Sequence, residues 1–179
     1  MTMREYLNRD KVTNEQVQRK VLDFVEERKD VVVIGAWAVN LQAEDQDERM
    51  TVDIDLLTTE VNLCSMLIAY IIAHLGVRLE LHSEYEDVVR LFVKGVNHNK
   101  PIVDIVIGEA PYEIVEGLKV ATLDWLIKAK ERAIASPQRS EIKKLMDRRD
   151  VLVLREEMER RQKERKENGN DDFTGALVS

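Results

Sequence analysis

The chain has 179 residues, a hydrophobic share of 44% and a formal charge of −7 at pH 7. These values predict one globular domain, or one domain with a helical appendage, and they argue weakly against non-specific binding to nucleic acid. A single cysteine, Cys64, excludes an intrachain disulfide framework and a cysteine-based zinc site. No secretory signal is visible, and the longest apolar stretch, 61–75, is short for a membrane span, so we expect a soluble cytoplasmic protein.

The first half of the chain alternates helical and extended patterns. Apolar residues at helical spacing after Thr13 predict a helix to about residue 28. The β-branched run 31–34 predicts a buried strand, and Gly35 ends it before a second helix. After a polar loop, the segment 49–57 (Arg-Met-Thr-Val-Asp-Ile-Asp-Leu-Leu) predicts another strand.

The second half of the chain predicts one more helix, several strands and a helical end. The predicted elements are a buried helix at 61–75, strands at 77–81, 88–93, 102–107 and 118–121, and helices at 122–135 and from 140 past 165. This order predicts an α/β (α+β) fold in which a mixed-sheet domain is followed by a C-terminal helical unit. We place the α/β core at 1–117, the helical unit at 118–167 and a disordered tail at 168–179.

Charge is divided between these two units. Residues 1–117 carry 12 Lys and Arg against 22 Asp and Glu, whereas residues 118–167 carry 15 against 10. An acidic metal-binding unit beside a basic one would suit a polyphosphate ligand, and helices with solvated mixed charges would show the same balance.

Three carboxylates stand inside predicted strands. Asp53 and Asp55 are separated by one residue, so on a strand they point to the same face, while Asp104 interrupts an otherwise apolar strand. Carboxylates in such runs are costly without compensation, and Mg²⁺ is bound through one or two of them together with phosphate oxygens. At Gly35 and Ala36 a strand feeds a helix, a place where backbone amides favour a phosphate.

Each of these features has an ordinary structural explanation when taken alone. Asp-x-Asp pairs are common, Asp104 could be a salt-bridged strand residue or lie on an exposed face, and Gly35-Ala36 could be a plain strand-to-helix turn. Their order along the chain is much more specific than any one of them.

The ordered set resembles the nucleotidyltransferase fold superfamily, the polymerase-beta-like group. Its Arg-x-Thr-x-Asp-(aliphatic)-Asp segment is matched here by Arg49, Thr51, Asp53 and Asp55, most closely as in the AbiEii-type toxin and related minimal nucleotidyltransferases. The segment 126–133 is similar to the lysine-bearing helix of that family, and 146–152 is similar to its Lys-Asp-x-x-Asp segment. The resemblance covers about residues 15–155.

The resemblance implies a role for each matched residue. Asp53 and Asp55 would bind Mg²⁺ and the nucleoside triphosphate (NTP), for example ATP, and Asp104 would complete the metal site and could activate the acceptor hydroxyl. Five residues would serve nucleotide binding: Gly35 and Ala36 at the phosphates, Lys130 at the triphosphate, and Arg49 and Asp147 in secondary positions. The implied reaction transfers a nucleoside monophosphate to an acceptor, tRNA or another target, with release of pyrophosphate.

Two departures from the family pattern leave a second interpretation open. Ala36 replaces the usual second Gly or Ser, and Met146 stands where the family has Lys, although Lys143 lies one helical turn before Asp147. The alternative is a catalytically weak or inactive nucleotide-binding or interaction protein on the same scaffold. The resemblance also suggests a toxin with an antitoxin protein as partner, and an antibiotic-modifying enzyme is a further interpretation of the same fold.

Overall fold

The computed structural model describes residues 12–26, 28–43, 51, 53–85, 87–94 and 101–169, except for the side chains of 83–85, 168 and 169. The described part contains five helices and seven strands. In chain order they are α1 (Asn14–Glu26), β1 (Val31–Ile34), α2 (Gly35–Gln42), β2 (Ile54–Thr58), α3 (Leu63–Leu75), β3 (Leu79–Tyr85), β4 (Val88–Val93), β5 (Val103–Ile107), β6 (Tyr112–Val115), β7 (Leu118–Ala121), α4 (Leu123–Ala135) and α5 (Glu141–Gly169).

The seven strands form one mixed sheet in the order β3-β4-β5-β2-β1-β7-β6. The pairs β2–β5 and β1–β7 are parallel, and the other four neighbouring pairs are antiparallel. The parallel pair β2–β5 lies in the middle of the order, so the strands that carry the predicted aspartates are interior strands of the sheet.

The strand β2 shows why the two faces of the sheet differ. Ile54 and Leu56 are fully buried on one face, while Asp55 lies on the other because side chains alternate along a strand. On the Asp55 face, α2 packs against β2 and also contacts α4 and α5. The helices α1 and α3 pack against each other, and their buried apolar residues join the same core as Ile54 and Leu56.

The predicted fold class is confirmed: a mixed sheet is followed by C-terminal helices. The structure adds the strand β6, where the sequence predicts a loop. Tyr112 and Ile114 of β6 are exposed, because β6 is an edge strand paired only with β7, and an edge strand does not need the apolar run that marks a buried one. The strand β3 also continues beyond its predicted end at residue 81, through polar residues of the hairpin with β4.

The proposed division at residue 118 remains an expectation. The strand β7, which begins there, pairs with β1 and so belongs to the sheet, and the helices begin at Leu123. Of the predicted disordered tail, residues 170–179 lie outside the described part of the chain. None of the described helices combines the length and the apolar character that a membrane crossing requires.

Candidate active site

Strand register brings Asp55 and Asp104 side by side. In the parallel pair β2–β5, Asp55 is the direct partner of Asp104. Asp53 lies just before β2, and one carboxylate oxygen from each of the three aspartates lies within 4.8 Å of the others. These residues, Asp53, Asp55 and Asp104, form a cluster that we call the acid triad. The predicted convergence of the three carboxylates is therefore present in the structure.

The position of Asp53 is fixed by a local turn. The Thr51 hydroxyl donates a hydrogen bond to the Asp53 carbonyl oxygen over 2.7 Å, and its oxygen lies 3.4 Å from Asp53 Oδ1. A hydrogen bond from a threonine hydroxyl to the backbone two residues further on is typical of a tight turn. Thr51 thus holds the chain in the bend from which Asp53 approaches the other two carboxylates.

Gly35 is required by close packing against the triad. Gly35 directly follows Ile34, which is the cross-strand partner of Asp55. The φ angle of Gly35 is +67°. A Cβ atom added at Gly35 would lie 1.8 Å from Asp55 Oδ2 and 2.8 Å from Asp55 Cβ. No L-residue fits at this distance, and a positive φ is itself unfavourable for one. The absence of a side chain at Gly35 is what makes room for the Asp55 carboxylate.

Burial and repulsion between like charges raise the pKa values of two triad members, Asp55 and Asp104. The pKa of Asp55 is raised to about 7, first by burial and then by the neighbouring charges of Asp53 and Asp104, against a lowering effect of Lys130 and Arg139. Burial likewise raises the pKa of Asp104 to about 6, although Arg90 and Lys143 act in the opposite direction. Such shifts are expected where like charges converge in a partly desolvated place.

The donor set of the triad fits a divalent metal ion. Three carboxylates offer only hard oxygen ligands, the kind that Mg²⁺ prefers. Asp104 Oδ1 is buried and finds no hydrogen-bond partner among the described residues. A buried carboxylate oxygen without a partner is costly, and a bound cation would remove that cost together with the repulsion between the aspartates.

Arg90 borders the triad on the side of β4. It is the cross-strand partner of Asp104 in the antiparallel pair β4–β5, and its Nε lies 3.5 Å from Asp104 Oδ2. The next residue in the same row is His82 of β3, which pairs with Arg90 and is exposed. From the triad toward the edge of the sheet, the row of neighbouring side chains therefore contains Arg90 and then the exposed His82.

A second carboxylate cluster lies between α4 and α5. The Lys130 ammonium contacts Asp147 Oδ1 at 3.0 Å and Asp150 Oδ2 at 2.8 Å, and both aspartates are fully buried. Arg139 places Nε and Nη2 each 2.8 Å from Asp147 Oδ2. We call these four residues, Lys130, Arg139, Asp147 and Asp150, the helix ion cluster. It joins the two helices through buried ion pairs.

The helix ion cluster and the N-terminal part of α5 bring positive charge to the triad. The charges of Lys130 and Arg139 both lower the pKa of Asp55, and the charge of Lys143 lowers the pKa of Asp104. Lys130 is nearly buried, with 11% of its side chain exposed, whereas 33% of the Arg139 side chain is exposed and Lys143 lies at the surface. A ligand at the triad would therefore meet Arg139 and Lys143 more readily than Lys130.

The remaining predicted site residues have different outcomes. Ala36 is buried in the first turn of α2, where the leading amides of a helix have no intrahelical acceptor. Asp147 is in contact with Lys130, and its carboxylate faces two cations, Lys130 and Arg139, rather than solvent. Arg49 lies outside the described residues. Met146, at the usual lysine position, is 42% exposed on α5.

Three site residues were missed by sequence reasoning. Arg90 and Arg139 acquire their positions through strand register and through the packing of two helices, and neither leaves a local pattern in the sequence. Asp150 stood inside the matched segment but received no role of its own. A signal was available for Asp150 alone, because it lies three residues from Asp147 and therefore on the same side of α5.

Comparison with known proteins gives structural neighbours only. No family model matches the chain, and no curated protein matches it in sequence. Among solved structures, it is similar to the polyadenylate synthase of Megavirus, with 20% identity and a TM-score of 0.60 over 81% of this chain and 31% of that one. It is also similar to JHP933 from Helicobacter pylori, with 18% identity and a TM-score of 0.50 over 71% of this chain and 57% of that one.

A further neighbour, described as a predicted nucleotidyltransferase of H. pylori, has 18% identity and a TM-score of 0.47 over 79% of this chain and 63% of that one. The chain thus spans between about a third and just over three fifths of the length of these three structures. At such low identity the likeness concerns the fold. The chain has the nucleotidyltransferase fold.

Proposed function

We propose that this chain, on its nucleotidyltransferase fold, transfers a nucleoside monophosphate from an NTP to a hydroxyl-bearing acceptor in a reaction that depends on Mg²⁺. The observation that carries the proposal is the acid triad: three carboxylates converge within 4.8 Å, next to a glycine that leaves them room. A purely structural role would not explain three converging aspartates, two of them with strongly raised pKa values.

In this proposal the three aspartates divide the work. Asp53, Asp55 and Asp104 would hold the metal, which when bound supplies positive charge to the phosphate oxygens and orients them for in-line displacement. Asp104 lies at the side of the triad nearest to the open β3–β4 hairpin, so it is the carboxylate best placed to accept the proton of an incoming hydroxyl. The acceptor oxygen would then bond to the α-phosphorus as pyrophosphate leaves.

The triphosphate is assigned to the opposite side of the triad, toward the helices. Arg139 and Lys143 supply accessible positive charge near Asp55 and Asp104, and the leading amides of α2, at Gly35 and Ala36, are donors that a phosphate oxygen could accept from. Lys130 would act on the triphosphate mainly through its charge. Its direct contacts hold α4 to α5, and Asp147 supports it there.

The proposal specifies the acceptor less narrowly than it specifies the NTP donor. One structural neighbour is named as a polyadenylate synthase, and an RNA acceptor, tRNA included, is in keeping with that name. A toxin that modifies such an RNA, held in check by an antitoxin protein, is the form of the proposal closest to the sequence resemblance. A small hydroxyl-bearing molecule such as an antibiotic is the other acceptor class compatible with the fold.

The test is transfer of label from each α-³²P-labelled NTP into cellular RNA and into small-molecule extracts, with and without Mg²⁺. We expect label from one or a few nucleotides, and we expect Asp55→Asn to lower incorporation by at least about a thousandfold because a metal ligand is lost. Asp87→Asn is the matched control, since Asp87 is an exposed aspartate in the turn between β3 and β4. Equal incorporation by wild type and Asp55→Asn would refute the proposal.

The second candidate function is binding without catalysis. It is favoured by Ala36 and Met146, which depart from the family pattern, and by the sequestered position of Lys130. Calorimetry of NTP binding separates the two: Mg²⁺-dependent binding that Asp55→Asn abolishes, combined with no incorporation into any acceptor, would identify a binding protein.

A further inference from the structure

We infer that Arg90 is the resident counter-ion of the acid triad: a positioning residue that holds Asp104 by one oxygen and allows three carboxylates to share one site before a metal binds. The inference rests on the proposed function only in treating the triad as a metal site. Arg90 belongs to none of the segments that carry the family resemblance.

The geometry divides the Asp104 carboxylate into two different oxygens. Oδ2 lies 3.5 Å from Arg90 Nε, whereas Oδ1 is buried and has no hydrogen-bond partner among the described residues. The direct cross-strand pairing of the two residues places the guanidinium beside this carboxylate. In this arrangement Oδ1 is the oxygen that can bind a ligand, and Oδ2 faces Arg90.

Arg90 differs from the other cations near the triad. Among the described residues it is the one cation within ion-pair distance of a triad carboxylate. Lys130 and Arg139 are committed to Asp147 and Asp150, and their charges reach Asp55 only through space. Lys143 lies at the surface of α5, where solvent screens its charge.

This arrangement has a consequence for the metal-free protein. Asp104 has only 13% of its side chain exposed, so without a nearby cation its negative charge would be poorly solvated and would repel Asp53 and Asp55. Arg90, with 32% of its side chain exposed, offsets that charge from the neighbouring strand. Metal and guanidinium therefore act on the same carboxylate from different oxygens.

The experiment is thermal unfolding of the full chain in EDTA and in Mn²⁺, for wild type, Arg90→Gln, Arg90→Lys and Lys94→Ala. In EDTA we expect Arg90→Gln to lower the Tm on the order of 5 °C, and Arg90→Lys to recover most of that loss. Saturating Mn²⁺ is expected to raise the Tm of Arg90→Gln by more than it raises that of wild type. Lys94→Ala is the matched control, because Lys94 also faces a carboxylate, Glu80, across β3–β4 but is 57% exposed.

A double-mutant cycle with Asp104→Asn separates this role from simple packing. Once Asp104 is neutral, Arg90→Gln should lower the Tm in EDTA by clearly less than it does in the wild-type background, because the Asp104 charge that Arg90 compensates is gone. An equally large loss in the Asp104→Asn background would overturn the inference. Absence of any Mn²⁺ effect on wild type would instead count against the metal site of the proposed function, while the cycle in EDTA would still decide the role of Arg90.

Discussion

Two clusters of aspartates, one fully buried and one half-buried, lie close together in this protein and are built in opposite ways. In the helix ion cluster, Asp147 and Asp150 are fully buried, and each is in direct contact with Lys130, Asp147 also with Arg139. In the acid triad, only Asp104 has an ion-pair partner among the described residues, and that partner is Arg90 at 3.5 Å.

The difference shows that the degree to which clustered charges are compensated indicates whether a cluster stabilises the fold or binds a ligand. Both clusters withdraw carboxylates from water, but only the triad leaves them undercompensated, as the raised pKa values of two of its members show. A cluster that is neutralised internally stabilises the packing of two helices. A cluster that is not neutralised is destabilising until something positive binds to it, which is the property expected of a ligand site.

The largest effect is expected where the compensated cluster is broken. Lys130→Met should lower the free energy of unfolding by about 3–5 kcal/mol, because it leaves two buried carboxylates facing each other without their shared ammonium. Urea unfolding monitored by circular dichroism measures it. Arg155→Ala is the control: its pair with Glu131 joins the same two helices but is exposed, and its loss should cost less than about 1 kcal/mol.

If Lys130→Met were as stable as Arg155→Ala, the two clusters would not differ in the way described, and the role of Lys130 would have to lie in binding alone.

The second effect concerns the space that the triad occupies. Gly35→Ala should destabilise the protein by about 2–4 kcal/mol, since the new methyl group would overlap Asp55 Oδ2 and the φ of +67° is unfavourable for alanine. Gly76→Ala is a matched comparison: Gly76 has a φ of +65° but open space around it, so only the backbone part of the cost should appear in its denaturation curve. Equal losses in the two variants would show that contact with Asp55 is unimportant.

The third prediction uses pH to expose the undercompensated state. The folded pKa of Asp55 is raised to about 7, so folded protein binds a proton that unfolded protein has released, and in EDTA this contribution to stability is fully present below about pH 4 and lost as pH rises toward 7. Asp55→Asn should therefore be more stable than wild type by roughly 2–4 kcal/mol at pH 7.5, and the advantage should disappear near pH 4.

Denaturant titrations at several pH values, in EDTA and in Mg²⁺, measure this difference. A pH-independent gap between the two proteins would point to packing at residue 55 rather than to its charge.

The smallest effect is expected at the accessible cation. Lys143→Ala should raise the KM for the NTP roughly two- to fivefold with little change in stability, because a screened surface charge contributes weakly. Steady-state kinetics at low and high salt measure it, and the effect should shrink in high salt. Lys163→Ala, at a surface position twenty residues further along α5, serves as the control. An equal change of KM in both variants would show that Lys143 does not contribute to triphosphate binding.

Much of this organisation could be predicted from the sequence because its signals are local. Asp53, Asp55 and Asp104 stand out because charged residues interrupt apolar strands, and the strand-to-helix turn is marked by Gly35. Most strands and helices follow from short-range periodicity in the same way. The edge strand β6 did not, because its exposed residues carry no such pattern.

The parts that could not be predicted depend on pairing between distant segments. The contact of Arg90 with Asp104 follows from the register of β4 on β5, and the contacts of Arg139 and Lys130 with Asp147 follow from the packing of α4 on α5. The family resemblance implies a nucleotide role for Lys130, but it could not show that two aspartates already hold its ammonium.

The parallel pairing of β2 with β5 also has a kinetic consequence. Asp55 and Asp104 are far apart in the chain, and an entire helix and the β3–β4 hairpin lie between them. During synthesis the three carboxylates cannot meet until β5 has been made and has closed this long loop onto β2, and contacts between segments so far apart form slowly. Because like charges meet at that closure, we expect refolding of this region to be faster in the presence of Mg²⁺ than in EDTA.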